Sequence, residues 1–257
     1  MEYEAKIRIC SFSNWLDACE SVFDGYIKKS IALKCGSAYS RTLKFERVCM
    51  NEAEEDFNNI LKTRYLSKFP FVKECGPASG KKLQDYMMHY MMDLANKRNV
   101  VIQFHTGLLG GNGNEIYNSD PASLTNLFLE YPDVVFDIFH IGYPYEHTLS
   151  ALAKMFPNVF IDMCWSHIIS PEACINILSE WIDTIPLNKI CAFGGDYTFI
   201  DGVCGHLQLA KLNVSKALTK KIKDGTIDID RSFEIAKLLF YENPMNIFKL
   251  NERRTYK

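Results

Sequence analysis

Pro132-Asp133-Val134-Val135-Phe136-Asp137-Ile138-Phe139-His140-Ile141-Gly142 decides the fold of this chain. Pro ends whatever helix precedes it and Asp tolerates the turn. Six residues dominated by β-branched and aromatic side chains follow, too short for a helix and apolar on both faces. Such a run reads as a strand of a parallel sheet, buried on both sides. Its polar tip, His140, then opens a loop. The same unit recurs on either side. Val100 to Phe104 ends in His105, Val159 to Cys164 follows Pro157-Asn158, and Ile190 to Phe193 leads into Gly194-Gly195-Asp196. Upstream, Ile31 to Cys35 makes a shorter strand, preceded by a helix around Trp15 to Phe23.

Amphipathic helices fill the intervals. Leu83, Tyr86, Met87, Tyr90, Met91, Leu94 and Ala95 form one stripe, so the methionines at 87, 88, 91 and 92 read as core packing. Asp120-Pro121 and Ser170-Pro171 each place a capping side chain before a first-turn proline. Met50 to Gly80 reads as charged and irregular with a helix near Glu52 to Leu66. A long helix ending near Gly225 and a last helix through Phe233 to Tyr241 close the chain. Strand and helix alternating with right-handed crossovers give an α/β chain. No linker divides it, so one domain over residues 1–257 is expected.

The composition narrows the function. The 257 residues carry 29 basic and 31 acidic side chains, a formal charge of −2, and 47% hydrophobic residues. That is enough for a substantial core, with no basic field for nucleic acid and no apolar run for a membrane span. Nine scattered cysteines, among them Cys75, include no Cys-x-x-Cys pair. They argue against a disulfide framework or zinc ribbon and for a reducing compartment. A soluble cytoplasmic protein acting on a small molecule is the expectation.

Catalytic groups of α/β barrels gather at the carboxyl ends of strands. Those positions hold Lys34, His105, His140, the segment Asp162 to His167, and Asp196. Neutral imidazoles and a carboxylate are ligands for a catalytic divalent ion such as Zn²⁺ or Mn²⁺, which lowers a water's pKa to about 7. Asp196 is placed to take that water's proton and deliver it to a leaving group. The loop Gly107 to Gly113 lacks the Gly-Lys-Ser/Thr ending of a phosphate loop and reads as an active-site loop, with Asn112 or Asn114 reaching substrate. Trp165 either packs or lines the pocket. His206 reaches the site from the last loop or hydrogen-bonds at a helix start. His89 and His147 read as helix surface or packing residues.

These residues resemble the amidohydrolase superfamily. His105 within Gln103-Phe104-His105-Thr106-Gly107, His140 within Phe139-His140-Ile141-Gly142-Tyr143-Pro144-Tyr145, and Asp196 within Phe193-Gly194-Gly195-Asp196-Tyr197 are similar to its strands five, six and eight. The nearest likeness is to the amidohydrolase-related branch, with domains fused to glutamine-synthetase-like proteins and, more distantly, uronate isomerases. Lys34 in Ile31 to Arg41 resembles that branch's strand four, with Tyr39 and Arg41 following. The likeness runs from about residue 13 to residue 250. It implies a (β/α)8 TIM-barrel-like fold, with His105 and Asp196 as metal ligands and Asp196 as proton shuttle. His140 is then a second-metal ligand or a substrate contact polarising a carbonyl oxygen. Lys34, Tyr39, Arg41, Asn112, Trp165 and His206 fall to substrate binding. Lys34 is carboxylated in some branches, and a free amine holding an anionic substrate explains it equally well.

One departure stands out. The family's strand-one His-x-His is missing, and the first histidine is His89. A βα unit takes roughly 30 residues, so strands one and two have no sequence to come from, although Ala5 to Cys10 could supply one strand. The expected architecture is an incomplete barrel of strands four to eight. It is either a fragment or closed by another chain, with a homo-oligomer covering the open edge. Two main readings follow: a metal-dependent hydrolase of a small polar or carboxylate substrate, with decarboxylation or isomerisation on a similar site, or a truncated, non-catalytic interaction or regulatory domain that holds no metal. A nucleotide-binding α/β protein resting on the glycine loop is a weaker third.

Overall fold

A computed structural model describes residues 1–66 and 80–253. Cys75 and the 67–79 part of the irregular stretch lie outside the described residues. The chain forms two compact units, Met1–Ser30 with Lys44–Asn99, and Ile31–Leu43 with Val100–Lys257.

The first unit is helical. Its helices run Phe12–Ile27, Met50–Leu66 and Lys81–Arg98, the first started by Ser11, whose hydroxyl accepts from the Asn14 N–H. Phe12, Ala53 and Phe57 are buried together, with Trp15, Leu83, Tyr86 and Met87 packed around them. Arg98 ties the helix ends, donating to both Asp24 oxygens at 2.9 Å and to Glu20 at 2.7 Å. Ala5 to Cys10 is not a strand. Glu2–Ala5 is a helical turn that Lys6 ends at φ 56°, and the residues after it join no sheet. The alternation there is real in burial, with Ile7 and Ile9 half-buried and Lys6 and Arg8 exposed, but Ile9 packs on the helical core and no strand pairs with the segment.

The second unit is built on one parallel sheet. Its strands are β1 Ala32–Cys35, β2 Val101–Phe104, β3 Phe136–Phe139, β4 Val159–Asp162 and β5 Ile190–Cys191, lying side by side in that order. Sequential order with every pair parallel requires a crossover after each strand, as in a (β/α) barrel. Helices Thr125–Glu130, Glu146–Met155 and Pro171–Thr184 lie in the crossovers after β2, β3 and β4. The two predicted caps form: Asp120 accepts from Ala122 N–H and Ser170 from Ala173 N–H. After β5 come the helices Ile200–Lys223 and Ile229–Lys237.

Register sorts the strand residues into two faces. On one, Phe104 and Phe136 lie 6.1 Å apart, and Phe128 of the crossover helix meets Phe136 edge-on at 5.0 Å. On the other, Val101 and Cys191 are buried with Ile247 and Phe248, and Ala32, Val135 and Phe160 pack against them. One step further along the same face, Lys34 pairs in register with Gln103 and Gln103 with Asp137. The inner face therefore runs from an apolar floor through a polar layer toward the carboxyl ends of the strands. No helix among the described residues is long and apolar enough to cross a membrane.

Candidate active site

Side-chain hydroxyls tie down the loops that leave β2 and β3. Thr106 Oγ1 donates to Phe139 O at 2.8 Å, and Ser119 Oγ to Gly107 O at 2.6 Å. Gly107 sits at φ +72°, where an added Cβ would lie 2.5 Å from the Gly142 carbonyl carbon and the Tyr143 oxygen. Only glycine permits that approach. His140 (φ 67°), Ile141 (φ 51°), Trp165 (φ 59°) and Asp196 (φ 47°) also adopt left-handed backbone. Four non-glycine residues in that region at strand ends mark strain held by the surrounding packing, as at functional sites.

These turns bring the two histidines together. His105 Nδ1 lies 3.0 Å from His140 Nε2. The remaining nitrogen of each ring meets a carbonyl, His105 Nε2 to Leu108 O at 3.1 Å and His140 Nδ1 to Cys164 O at 2.8 Å. A carbonyl can only accept, so each ring places its one neutral-state proton there. The nitrogens that face each other are then both lone pairs. Burial is the main cause holding both imidazoles neutral: it lowers His105 despite the Leu108 hydrogen bond, and pushes His140 down to about 3, with His105 adding to the effect. Two neutral lone pairs at 3.0 Å repel each other. A cation between them would relieve that repulsion, as would moving one proton to a facing nitrogen to make an imidazole–imidazole hydrogen bond.

Asp196 stands beside them. Its Oδ2 is 3.9 Å from His140 Nε2 and accepts from Lys34 Nζ at 2.6 Å. The Trp165 indole N–H donates to the Asp196 carbonyl at 3.0 Å, and Tyr197 stacks on Trp165 at 5.0 Å. Lys34 also lies 4.2 Å above the Phe139 ring. Donors about 2.0–2.1 Å from one tetrahedral ion lie roughly 3.3 Å apart, so separations of 3.0 and 3.9 Å are each a few tenths of an ångström from coordination. Among the described residues no three such donors already stand at coordinating distance, and Asp196 is paired with Lys34. The donor set nonetheless fits a divalent ion: two bare imidazole nitrogens and a carboxylate.

These groups open into a cavity of about 300 Å³, walled by Tyr39, Leu108, Leu109, Trp165 and Ile169. The Tyr39 ring is 4.8 Å from that of His105, and its hydroxyl accepts from Gly110 N–H. Of the residues singled out from the sequence, Lys34, Tyr39, His105, His140, Trp165 and Asp196 thus converge. Asn112 lines an adjoining cavity with Leu108, Leu109 and Tyr143, and Asn114 donates to Gly110 O. Arg41 Nε donates to Thr42 O, away from the cavity lining. His206 is buried behind the site against Phe193 and His167, with both ring nitrogens lacking a hydrogen-bond partner. His89 is buried in the helical unit on Phe45 O, and His147 is exposed beside Glu180.

Beneath lies a polar layer in which sequence reasoning gave Asp137 no role and placed Asp162 only within the strand-end segment Asp162 to His167. Asp137 and Asp162 are both buried on the sheet's inner face. Gln103 Nε2 donates to Asp137 Oδ2 at 2.9 Å, and Cys164 N–H to Asp162 Oδ1 at 2.8 Å, while Asp137 Oδ1 has no partner. Burial pushes Asp137 up to about 7 and raises Asp162, Asp137 adding to the latter. The available signal was a lone acid inside each apolar run.

A parallel sheet in sequential order, with imidazoles and a carboxylate on its carboxyl rim, defines part of a (β/α) barrel of the kind that houses metal-assisted chemistry. The chain belongs to the amidohydrolase family, whose model matches residues 68–250. It is 26% identical over 179 residues to the protein fluG of Emericella nidulans, covering 67% of this chain and 21% of that protein. Its fold is that of a candidate metal-dependent hydrolase from Lactobacillus casei (TM-score 0.76, 18% identity, 95% of this chain and 61% of the other). A glucuronate isomerase from Caulobacter crescentus is equally similar (TM-score 0.76, 18% identity, 97% and 53%). The chain therefore spans between half and two thirds of the length of these structures and a fifth of fluG.

Proposed function

We propose that this chain carries the catalytic rim of a metal-dependent hydrolase acting on a small carboxylate or polar substrate. The observation behind this reading is the pair of bare nitrogens, His105 Nδ1 and His140 Nε2, facing each other beside Asp196. Those three groups would hold a divalent ion, Zn²⁺ or Mn²⁺ by donor type. Such an ion supplies Lewis acidity, polarising a carbonyl oxygen and bringing the pKa of water near about 7.

The chain's own residues do the rest. Asp196 would take a proton from the attacking water on the carboxylate oxygen not committed to the ion and return it to the leaving group. Trp165, through its bond to the Asp196 carbonyl, holds that residue in its left-handed conformation. Leu108, Leu109, Ile169 and Trp165 exclude water around the reacting bond, which strengthens every charge interaction there. The Lys34 ammonium binds a substrate carboxylate, and Tyr39 closes the wall beside His105.

A second reading, a non-catalytic domain on the same scaffold, is favoured by one observation: Asp196 is already paired with Lys34. Metal analysis of the chain purified after exposure to Zn²⁺ and to Mn²⁺, with His105→Ala alongside, separates the two. The hydrolase reading expects about one equivalent in the parent and loss in the variant. Less than roughly a tenth of an equivalent in the parent would leave the non-catalytic domain.

A further inference from the structure

We propose that Lys34 is a built-in cation of this site, holding the position at Asp196 that a divalent ion takes on loading, and that loading hands its ammonium to an anionic group of the ligand. This rests on the metal-dependent reading above and adds to it a coupling between the ion and the anion.

The geometry points to one oxygen. Asp196 Oδ2 faces Lys34 Nζ at 2.6 Å and His140 Nε2 at 3.9 Å. An ion held by Asp196 and His140 would lie within a few ångströms of the ammonium, a like charge in a partly buried cavity. The two cations compete for the same carboxylate oxygen, and the doubly charged ion is the stronger competitor. Lys34 is the one free to leave: its side chain is 29% exposed, it rests on Phe139, and its amine ends a flexible four-carbon stem. The cavity wall around the released ammonium is mainly apolar and aromatic, and the other acids that feel its charge, Asp137 and Asp162, are buried beneath with their carboxyl pKa values raised by burial. A ligand carboxylate is the partner that completes it. Ion and anion should each tighten the other's binding by the same factor.

Lys34→Met removes the charge while keeping an unbranched stem against Phe139. Lys154→Met, on the exposed side of the helix Glu146–Met155, makes the same change in net charge elsewhere. Calorimetric titration with zinc chloride is expected to give Lys34→Met a dissociation constant about tenfold or more tighter than the parent, with Lys154→Met unchanged. Titration of the zinc-loaded proteins with benzoate is expected to show about a tenfold loss in Lys34→Met alone. Zinc binding in Lys34→Met no tighter than in Lys154→Met overturns the displacement, and undiminished benzoate binding overturns the transfer. No zinc binding by the parent or Lys34→Met defeats the hydrolase reading itself, and this inference with it.

Discussion

Replacing Asp137 by Asn should flatten the pH dependence of stability. Asp137 is fully buried, bonded through one oxygen to Gln103, and its other oxygen has no partner. Burial pushes its pKa up to about 7, against about 3.9 in an unfolded chain. The folded protein therefore binds this proton more tightly than the unfolded one. The stabilisation is fully present below about pH 4 and is lost as pH rises through about 7. Between pH 5 and pH 8 roughly two units of the difference disappear, about 2.5 kcal/mol at 1.36 kcal/mol per unit. Asn keeps the shape and an acceptor for Gln103 but cannot ionise. Urea unfolding of both proteins at pH 5, 6, 7 and 8 gives the difference, to which Asp162 adds in the same direction, because the charge of Asp137 helps to raise it in the parent. The parent should lose about 1–3 kcal/mol more than Asp137→Asn across that range. Parallel profiles, or a steeper fall in the variant, would refute the assignment of a buried, protonated Asp137.

Three further substitutions probe other parts of the account. Gly107→Ala forces a Cβ to 2.5 Å from the Gly142 and Tyr143 backbone at φ +72°, and should cost about 3 kcal/mol or more in chemical unfolding. Lys189→Met leaves two carbonyls, Ala153 O and Phe156 O, without the buried ammonium that donates to them; a lowering of about 2–4 kcal/mol is expected by the same measurement. Trp165→Phe removes the bond to the Asp196 carbonyl. It should weaken zinc binding several-fold by calorimetry while the thermal midpoint stays within about 3 °C of the parent.

Much of the fold was legible because burial on both faces leaves a strong mark. The runs ending at Phe104 and Phe139 are strands because β-branched and aromatic residues filled both sides of the pleat. The strand from Ile190 is only two residues long, and the next N–H, that of Ala192, donates to Leu239 O outside the sheet. Ala5 to Cys10 misled because its alternating apolar residues do turn inward, Ile9 packing on the helical core, without any strand partner to make a ladder. At the site, strand-end position alone placed His105, His140 and Asp196 on one rim. It could not reveal that Lys34 takes Asp196, nor that Leu108 and Cys164 carbonyls fix which imidazole nitrogens are bare, because backbone partners leave no trace in residue identity. Asp137 and Asp162 read as strand interior, although a lone acid in an apolar run is itself a signal of a buried polar layer.

The account turns on the protonation of two rings. Nitrogen-15 spectra of the imidazoles at pH 7, without metal and then with Zn²⁺, report it directly. Both rings should be neutral, with the proton on Nε2 of His105 and on Nδ1 of His140. Zinc should shift His105 Nδ1 and His140 Nε2 and leave the protonated nitrogens nearly in place. A proton on either of the facing nitrogens, or zinc shifts at neither of them, would contradict the account.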